Sequence, residues 1–575
     1  IVYLWSVYYD FLLHLNLHIS ILKQLRTRNI IVFLILFSVN GFLAQEFVLK
    51  LASKDQNELL VLKKIDYVKK HTKSSTLYSE IDKISDYLKN IGYFTNTVTE
   101  IEKAGTVYIA HFSLNAKIET ALIELDSNSK TYVNEFQIKN NTVTIPLKKL
   151  QNTLYKISKN LDKEGKSFSK VQLKKIKIKN DTLYAILKIN QSKKRVIDKV
   201  IIKGYENFPR SYVKNYFNLS DSTTFNQGKI EEISEVSKGI RFITVIKPPE
   251  TLFTRDSTFL YLYFKKKQSH RFDGIASFTT KEDGKILFNG NMDLKLKNLL
   301  DKGEEFELFW NRIENERQEL KLSLKTPYVF NSKLSPEISF SIYKQDSTFT
   351  NTTFNSKIAY SINSKSHFGI SYNEESSENL TKNSIENIET FSNFFFGFQF
   401  KYSSPKNDYF DNDKFFIEIN PSVGKRNVDQ KQSKQFKIEA TTSYLWELNY
   451  RNSIYIRNKT FYLNSNSFLN NELSRIGGAN SIRGFNEQSI FSKKFSYLNL
   501  EYRFLTSEKS YLYTITDIAN TSTPVGNENL LGIGLGYLFT TKNAQINLSS
   551  ALGRSSSKGF DFDQTKLSVN WISFF

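Results

Sequence analysis

The sequence predicts a transmembrane antiparallel β-barrel of about sixteen strands, preceded by tandem small α/β modules. Three observations carry this prediction. Period-two alternation persists from 268 to 575 without helical spacing, the apolar face of those segments is rich in Phe, Tyr and Trp, and an export-like segment stands at the amino terminus. A soluble β-sandwich would alternate too, so the aromatic face and the export segment decide between them.

Composition narrows the function. The 575 residues include 47 Phe and 31 Tyr but one Met, 9 Pro and no Cys. Zero cysteine excludes disulfides, thiolate metal sites and a Cys nucleophile. A formal charge of +21 raises the question of nucleic acid. Residues 51–267 hold 39 Lys/Arg against 23 Asp/Glu, whereas 268–575 hold 36 against 33. The lysines of the first half (Lys174, Lys175, Lys177, Lys179, Lys193, Lys194) lie scattered along amphipathic segments, with no finger or helix-turn-helix pattern. A solvated basic face near anionic headgroups or clients fits them better, and no nucleic-acid partner is expected.

Along the chain, Lys23, Arg26 and Arg28 precede the apolar run Ile30–Phe37, and Gly41-Phe-Leu-Ala44 offers a cleavage site before Gln45, so residues 1–44 read as a signal peptide. Residue 1 is Ile and the single Met is Met292, so the true start is expected downstream of residue 1. An uncleaved anchor using the upstream apolar residues is the alternative. Three modules follow, with expected bounds 46–115, 116–195 and 196–267. In the first, Leu77, Ile81, Ile84 and Leu88 share a helical face, and Val98 and Val107-Tyr-Ile109 continue as strands. The second has a helix-like 147–161 and strands near 171–178 and 182–189. The third has a strand at 197–202, a turn at Gly204, helices near 211–217 and 227–238, and strands near 242–247 and 257–264.

From 268 to 575 the segments alternate. Phe394, Phe396, Phe398, Phe400 and Tyr402 interleave with Asn393, Gly397, Gln399 and Lys401. At about 19 residues per strand and turn this span gives roughly sixteen strands, an even number that closes the sheet. In the final segment Leu567, Val569, Trp571 and Phe575 share a face, and the chain ends on that Phe. This is similar to the carboxy-terminal signal of bacterial outer-membrane proteins, although Ser573 interrupts the apolar face.

No Gly-x-Ser-x-Gly elbow, phosphate-binding loop or His-Glu-x-x-His helix is present, and Glu304-Glu305 suit a turn or a strand's polar face. No catalytic residue, cofactor or metal site is expected, and the chain does not read as an enzyme.

One irregular segment remains, Ile476-Gly-Gly-Ala-Asn-Ser-Ile-Arg-Gly-Phe485. Its Ser481-Ile482-Arg483-Gly484-Phe485, preceded by Gly477-Gly478, resembles the Val-Arg-Gly-Phe/Tyr motif of the BamA/TamA superfamily, the POTRA-domain outer-membrane insertases and two-partner secretion transporters. Leu498-Asn-Leu-Glu-Tyr-Arg-Phe504, Thr516-Asp-Ile-Ala-Asn520 and Leu531-Gly-Ile-Gly-Leu-Gly536 follow in that family's order. Asn298-Leu-Leu-Asp-Lys-Gly303 and Thr326-Pro-Tyr-Val-Phe330 resemble its early barrel segments. The resemblance covers most of 197–575 and is closest to TamA-like members.

The resemblance implies POTRA-like modules in the periplasm, a barrel in a Gram-negative outer membrane, and insertion or export of client proteins. It implies unfolded outer-membrane or secreted clients, outer-membrane lipids, and an inner-membrane or lipoprotein accessory as partners. It places Arg483 on a loop folded into the lumen, paired with Glu501 and Asp517. Glu501 also reads as lumen-facing from periodicity, because Leu498, Leu500, Tyr502 and Phe504 take the opposite face. Asp517 stays open, since both faces of its strand hold apolar residues. Ala519 and Asp301 stand where the family commonly has Gly, and both read as drift. The ion pair would either gate the barrel or merely staple the loop. The POTRA strand edges would accept extended clients, and a weak seam between the first and last strands would admit them to lipid. The rival readings are a passive porin with periplasmic binding modules and a two-partner secretion transporter.

Overall fold

The computed structural model describes residues 46–575 except 127–128, 134, 180, 221, 281–285, 314–316, 382–386 and 411. The segment read as a signal peptide, 1–44, lies outside the described residues. The chain divides into two compact units, one comprising the described residues to Leu161 together with Phe168–Ser192, the other Asp162–Ser167 and Lys193–Phe575.

In the first unit, β1 (Phe47–Ala52), α1 (Gln56–Leu62), β2 (Lys70–His71), α2 (Ser74–Asn90), β3 (Thr97–Ala104) and β4 (Val107–Ser113) make a sheet of order β2-β1-β4-β3. The helix expected over 77–88 is α2, and it buries Leu77, Ile81, Ile84 and Leu88 as its spacing requires. Next come β5 (Thr120–Leu125), β6 (Ile138–Lys139), β7 (Thr142–Pro146), α3 (Leu147–Lys163), β8 (Lys170–Lys179) and β9 (Thr182–Asn190), in the order β6-β7-β5-β9-β8. Strands β1, β5 and β7 fall outside the sequence expectations, because they are short and two of them only partly alternate.

The second unit opens with β10 (Lys199–Lys203), α4 (Arg210–Asn215), α5 (Gln227–Ser237), β11 (Ile243–Phe253) and β12 (Thr258–Lys266). Asn226 caps α5 by accepting from the Lys229 amide at 2.7 Å. One connection recurs in all three sheets: β1 lies parallel to β4, β5 to β9 and β10 to β12. The intervening hairpin strand (β3, β8 or β11) then lies antiparallel at the edge. Helices between the parallel strands cover one face, which is how such a pair must be connected. In the third sheet Phe208, Phe217, Leu260, Leu262 and Phe264 form the core.

Sixteen strands among the described residues close a barrel. They are β13 (Arg271–Thr280), β14 (Ile286–Lys297), β15 (Glu305–Ile313), β16 (Arg317–Lys325), β17 (Leu334–Gln345), β18 (Phe349–Ser361), β19 (Ser366–Asn379) and β20 (Phe391–Pro405). Next come β21 (Asp413–Val428), β22 (Lys431–Glu447) and β23 (Asn452–Ser465). The short β24 (Ser474–Ile476) and β25 (Ile490–Ser492) pair apart from the wall. The wall resumes with β26 (Lys494–Ser507), β27 (Ser510–Ser522), β28 (Asn527–Thr540), β29 (Ala544–Ser555) and β30 (Lys566–Phe574). Every wall pairing is antiparallel.

The alternation sorts the side chains as expected. On β26, Phe495, Tyr497, Asn499, Glu501 and Arg503 are buried inside while Tyr502 and Phe504 are exposed. Phe396 and Phe398 point outward and the preceding Phe395 inward. An outward wall with Phe396, Phe398, Trp446, Leu512, Ile518 and Leu535 exposed suits lipid and not water. Among the described residues no helix is long and apolar enough to cross a membrane. The closed sheet with its apolar side chains turned outward is the architecture of a transmembrane β-barrel.

Candidate functional site

The connection between β23 and β26 does not stand out from the barrel but folds into it. Its hairpin pairs Ser474 with Ser492 and Ile476 with Ile490. Gly477 donates its N–H to Ser481 Oγ at 2.8 Å, and its carbonyl accepts from the Gln488 amide at 3.2 Å. The Gly478 N–H donates to the Ile482 carbonyl at 3.1 Å, and the Glu487 carboxylate accepts from the Ala479 amide at 3.0 Å. Ile482 is fully buried among Phe395, Phe461, Phe495, Tyr497, Ala519 and Leu530, with Phe485 packed on the same cluster. Gly484 sits at φ +92, and a Cβ there would lie 2.4 Å from the Leu552 carbonyl carbon. A glycine is therefore needed twice over, for the left-handed backbone and for the approach to β29.

Arg483 anchors the turn. Its Nε and backbone N–H both donate to Asp517 Oδ2, at 2.8 and 2.9 Å, its Nη2 to Asp517 Oδ1 at 2.7 Å, and its Nη1 to Glu501 Oε1 at 2.6 Å. A planar fork can satisfy two carboxylates this way and an ammonium cannot. Asp517 is fully buried on the inner face of β27. The structure thus brings together all three residues of the expected triad.

A fourth member was not foreseen: Arg503 donates from Nε to Glu501 Oε2 at 2.8 Å and lies over the rings of Tyr455 and Tyr511 at 4.1 and 5.0 Å. Arg503 lies two residues from Glu501 on the same strand face, so the signal was present in the alternation. Farther along, Arg317 of β16 donates to the Glu487 carbonyl, Gln488 donates to Glu319 at 3.2 Å, Arg475 stacks on Tyr343, and Arg426 pairs with Glu472. The loop is thereby held by β16, β17, β21, β26 and β27 at once, and it spans the lumen.

The second feature lies at the end of the barrel where the chain enters from β12. The turn between β14 and β15 carries Asn298, fully buried, whose side chain donates to the Tyr205 hydroxyl at 2.6 Å and accepts from the Gly303 amide at 2.7 Å. Asp301, read as drift from Gly, is a working group instead. It holds φ +54, accepts from Tyr205, and pairs with Lys266 at 3.1 Å. Asp tolerates the left-handed conformation and adds a carboxylate that Gly lacks. Ala519 is likewise buried against Ile482 and does not merely drift. Gly204 follows β10 at φ +86, where a Cβ would lie 2.6 Å from the Phe264 carbonyl oxygen.

The third feature is the seam. Strands β13 and β14 pair through ten residues, from Arg271–Lys295 to Thr280–Ile286. Between β13 and β30 the ladder among the described residues consists of Arg271–Phe574 and Phe272–Ser573 only. The Phe575 amide adds a bond to the His270 carbonyl at 3.1 Å, and Asn570 donates to Asp273 at 2.7 Å. Leu567, Val569, Trp571 and Phe575 are all exposed on β30 and its end, with Leu567 80 % exposed. Most of β30 thus offers an unpaired edge beside an apolar face.

No family profile matches the sequence, and no curated protein matches it. Solved structures similar to it include BamA from Haemophilus ducreyi lacking POTRA domains 1–3, at 14% identity and TM-score 0.44, covering 80% of this chain and 99% of that one. CdiB from Acinetobacter baumannii matches at 13% identity and TM-score 0.49, covering 80% and 90%, and CdiB from Escherichia coli at 13% and 0.49, covering 87% and 96%.

Proposed function

We propose that the chain is an outer-membrane assembly or translocation factor of a Gram-negative bacterium, with its α/β modules in the periplasm, delivering client polypeptides to or through the barrel. The observation that carries this reading is the two-pair β13–β30 seam, in a barrel whose other neighbouring strands each pair through eight residues or more among the described residues. A barrel that only has to persist in lipid gains by pairing every edge, because unpaired backbone groups in hydrocarbon cost several kcal/mol each. An edge left open beside an apolar face can instead template an incoming strand.

The stapled loop argues against a passive porin. It is pinned to several walls of the lumen, where a porin keeps a water-filled passage. Its role in this reading is to hold the barrel in the conformation from which the seam opens. The work is pairing and partitioning, without bond chemistry, cofactor or metal. Client proteins and outer-membrane lipids are the partners, with an inner-membrane or lipoprotein accessory feeding the modules. Depletion of the protein followed by quantitative proteomics of outer membrane and medium tests the reading. Loss of specific barrel proteins from the membrane indicates insertion, and loss of a specific secreted protein indicates export. Unchanged composition of both would reject it.

A further inference from the structure

At the β12 end of the barrel an open cavity of about 1370 Å³ lies between the third sheet and the lumen. That exceeds the roughly 300–1,000 Å³ of an ordinary small-molecule pocket. Its wall is strongly one-signed, with twelve Lys/Arg against four Asp/Glu. Some of these cations are already matched, Lys266 by Asp301, Lys295 by Glu307 and Arg271 by Asp293. Lys265, Lys325, Lys509 and Lys542 have no carboxylate within salt-bridge distance among the described residues. They come from four separate elements, β12, the end of β16, and the turns after β26 and β28. Folding thus converges like charges on one concave space at an electrostatic cost, and a concave wall of one sign focuses field on whatever enters.

The cavity's neighbours indicate what that is. Ile243, Thr244 and Val245 of the edge strand β11 line one side, and the seam residues Arg271 and Phe574 line another. Tyr409, Phe410 and Phe306 add aromatic surface. The space therefore runs from a free strand edge to the weak junction of the barrel.

We propose that this vestibule binds an extended acidic segment of a polypeptide, one whose carboxylates neutralise Lys265, Lys509 and Lys542 while the segment passes from β11 toward the seam. The inference deepens the assembly reading, because it gives the client's recognised segment a charge. Long-range attraction of this kind speeds capture and is screened by salt. It leaves release easy, because exposed pairs are individually weak.

The test uses the full chain in detergent and a fluorescent peptide alternating Glu with Ser and Val. Its counterpart has Gln for Glu, and inorganic phosphate and vesicles of anionic lipid serve as competitors. The acidic peptide should bind, the Gln peptide should not, and salt should weaken binding. The combined Lys265→Gln, Lys509→Gln and Lys542→Gln variant should lose about tenfold in affinity. Equal binding of both peptides, or an unchanged variant, overturns the proposal. Displacement by phosphate at matched charge would show a small-anion site instead, and displacement by vesicles a headgroup site.

If the triple variant fails to fold, a crosslinker on Asn407→Cys, unique in a chain without cysteine, should capture the acidic peptide and spare the Gln peptide; no such preference overturns the proposal. Charge-selective binding with unchanged proteomes on depletion would leave the vestibule standing and remove the assembly role.

Discussion

Arg483 makes three hydrogen bonds to Asp517 and one to Glu501, and this asymmetry decides which substitutions matter. Arg483→Ala strands Asp517 without a cation in a fully buried position, whereas Glu501 keeps Arg503. Breaking a buried pair from one side costs about 3–5 kcal/mol. The thermal midpoint of the folded barrel, read by heat-modified gel mobility, should therefore fall more for Arg483→Ala than for Glu501→Gln. Arg483→Ala combined with Asp517→Asn should be less damaging than the sum of the two, since the neutral amide removes the stranded charge. Additive losses would mean that the pair is not the staple. Client assembly should fall in Arg483→Ala even where the barrel stays folded.

Much of this was legible from alternation alone. Glu501 follows from its apolar neighbours, and Arg503 followed by the same rule and was overlooked. Asp517 could not be placed that way, because Ile515 and Ala519 on its own face are apolar and pack against the inner wall and the loop.

Among elements, the seam and the module edges behave differently. Phe272 and Ser573 are direct cross-strand partners in the last ladder pair. Cysteines at both positions should form a disulfide, given that cross-strand Cα separations fall in the bridging range. The oxidised barrel should remain folded but stop delivering clients, and reduction should restore delivery. Full activity with the bond intact would reject seam opening. The module edges were expected to accept clients by β-augmentation, but their chemistry restricts this.

The edge strand β8 carries Lys170, Lys174, Lys175, Lys177 and Lys179 and a register shift between Lys174 and Lys177. Edge strand β11 is interrupted by Pro248 and Pro249 within a second irregular stretch. Charge, bulges and proline are the devices that keep edges from pairing. In β11 the short run Ile243–Val245 lies free of these devices. Hydrophobic period identifies strands, but ladder length and bulges depend on register and on neighbours distant in sequence, so these bulges and the two-pair length of the seam were not readable from it; the weak seam itself was expected only from the family resemblance.

At the scale of the second unit, the third sheet meets the barrel at the β14–β15 turn as well as through Tyr212 on Tyr328 and Arg241 with Asp413, and the turn can be tested by its charge. Tyr205, Asn298, Asp301 and Lys266 form a connected set, and Gly303 leaves room for Tyr212, where a Cβ would lie 2.2 Å from its ring. Burial works to raise the Asp301 pKa, but the hydrogen bonds from Tyr205 and Lys266 more than offset it, and the net shift is downward. A carboxylate depressed in the folded state contributes stability above its unfolded pKa and loses that contribution as pH falls through the folded value. The joint should therefore be tight at neutral pH and loosen only below the ordinary aspartate value of 3.8.

Spin labels on engineered cysteines, one in α5 and one in the β16–β17 turn, would report this as a distance distribution. Wild type should be narrow at neutral pH and broaden in acid. Asp301→Asn should already be broad at neutral pH, since the amide keeps a hydrogen bond to Tyr205 but loses the ion pair to Lys266. A distribution for Asp301→Asn as narrow as wild type would place the joint elsewhere, and the cavity beside the seam would then lack a fixed roof.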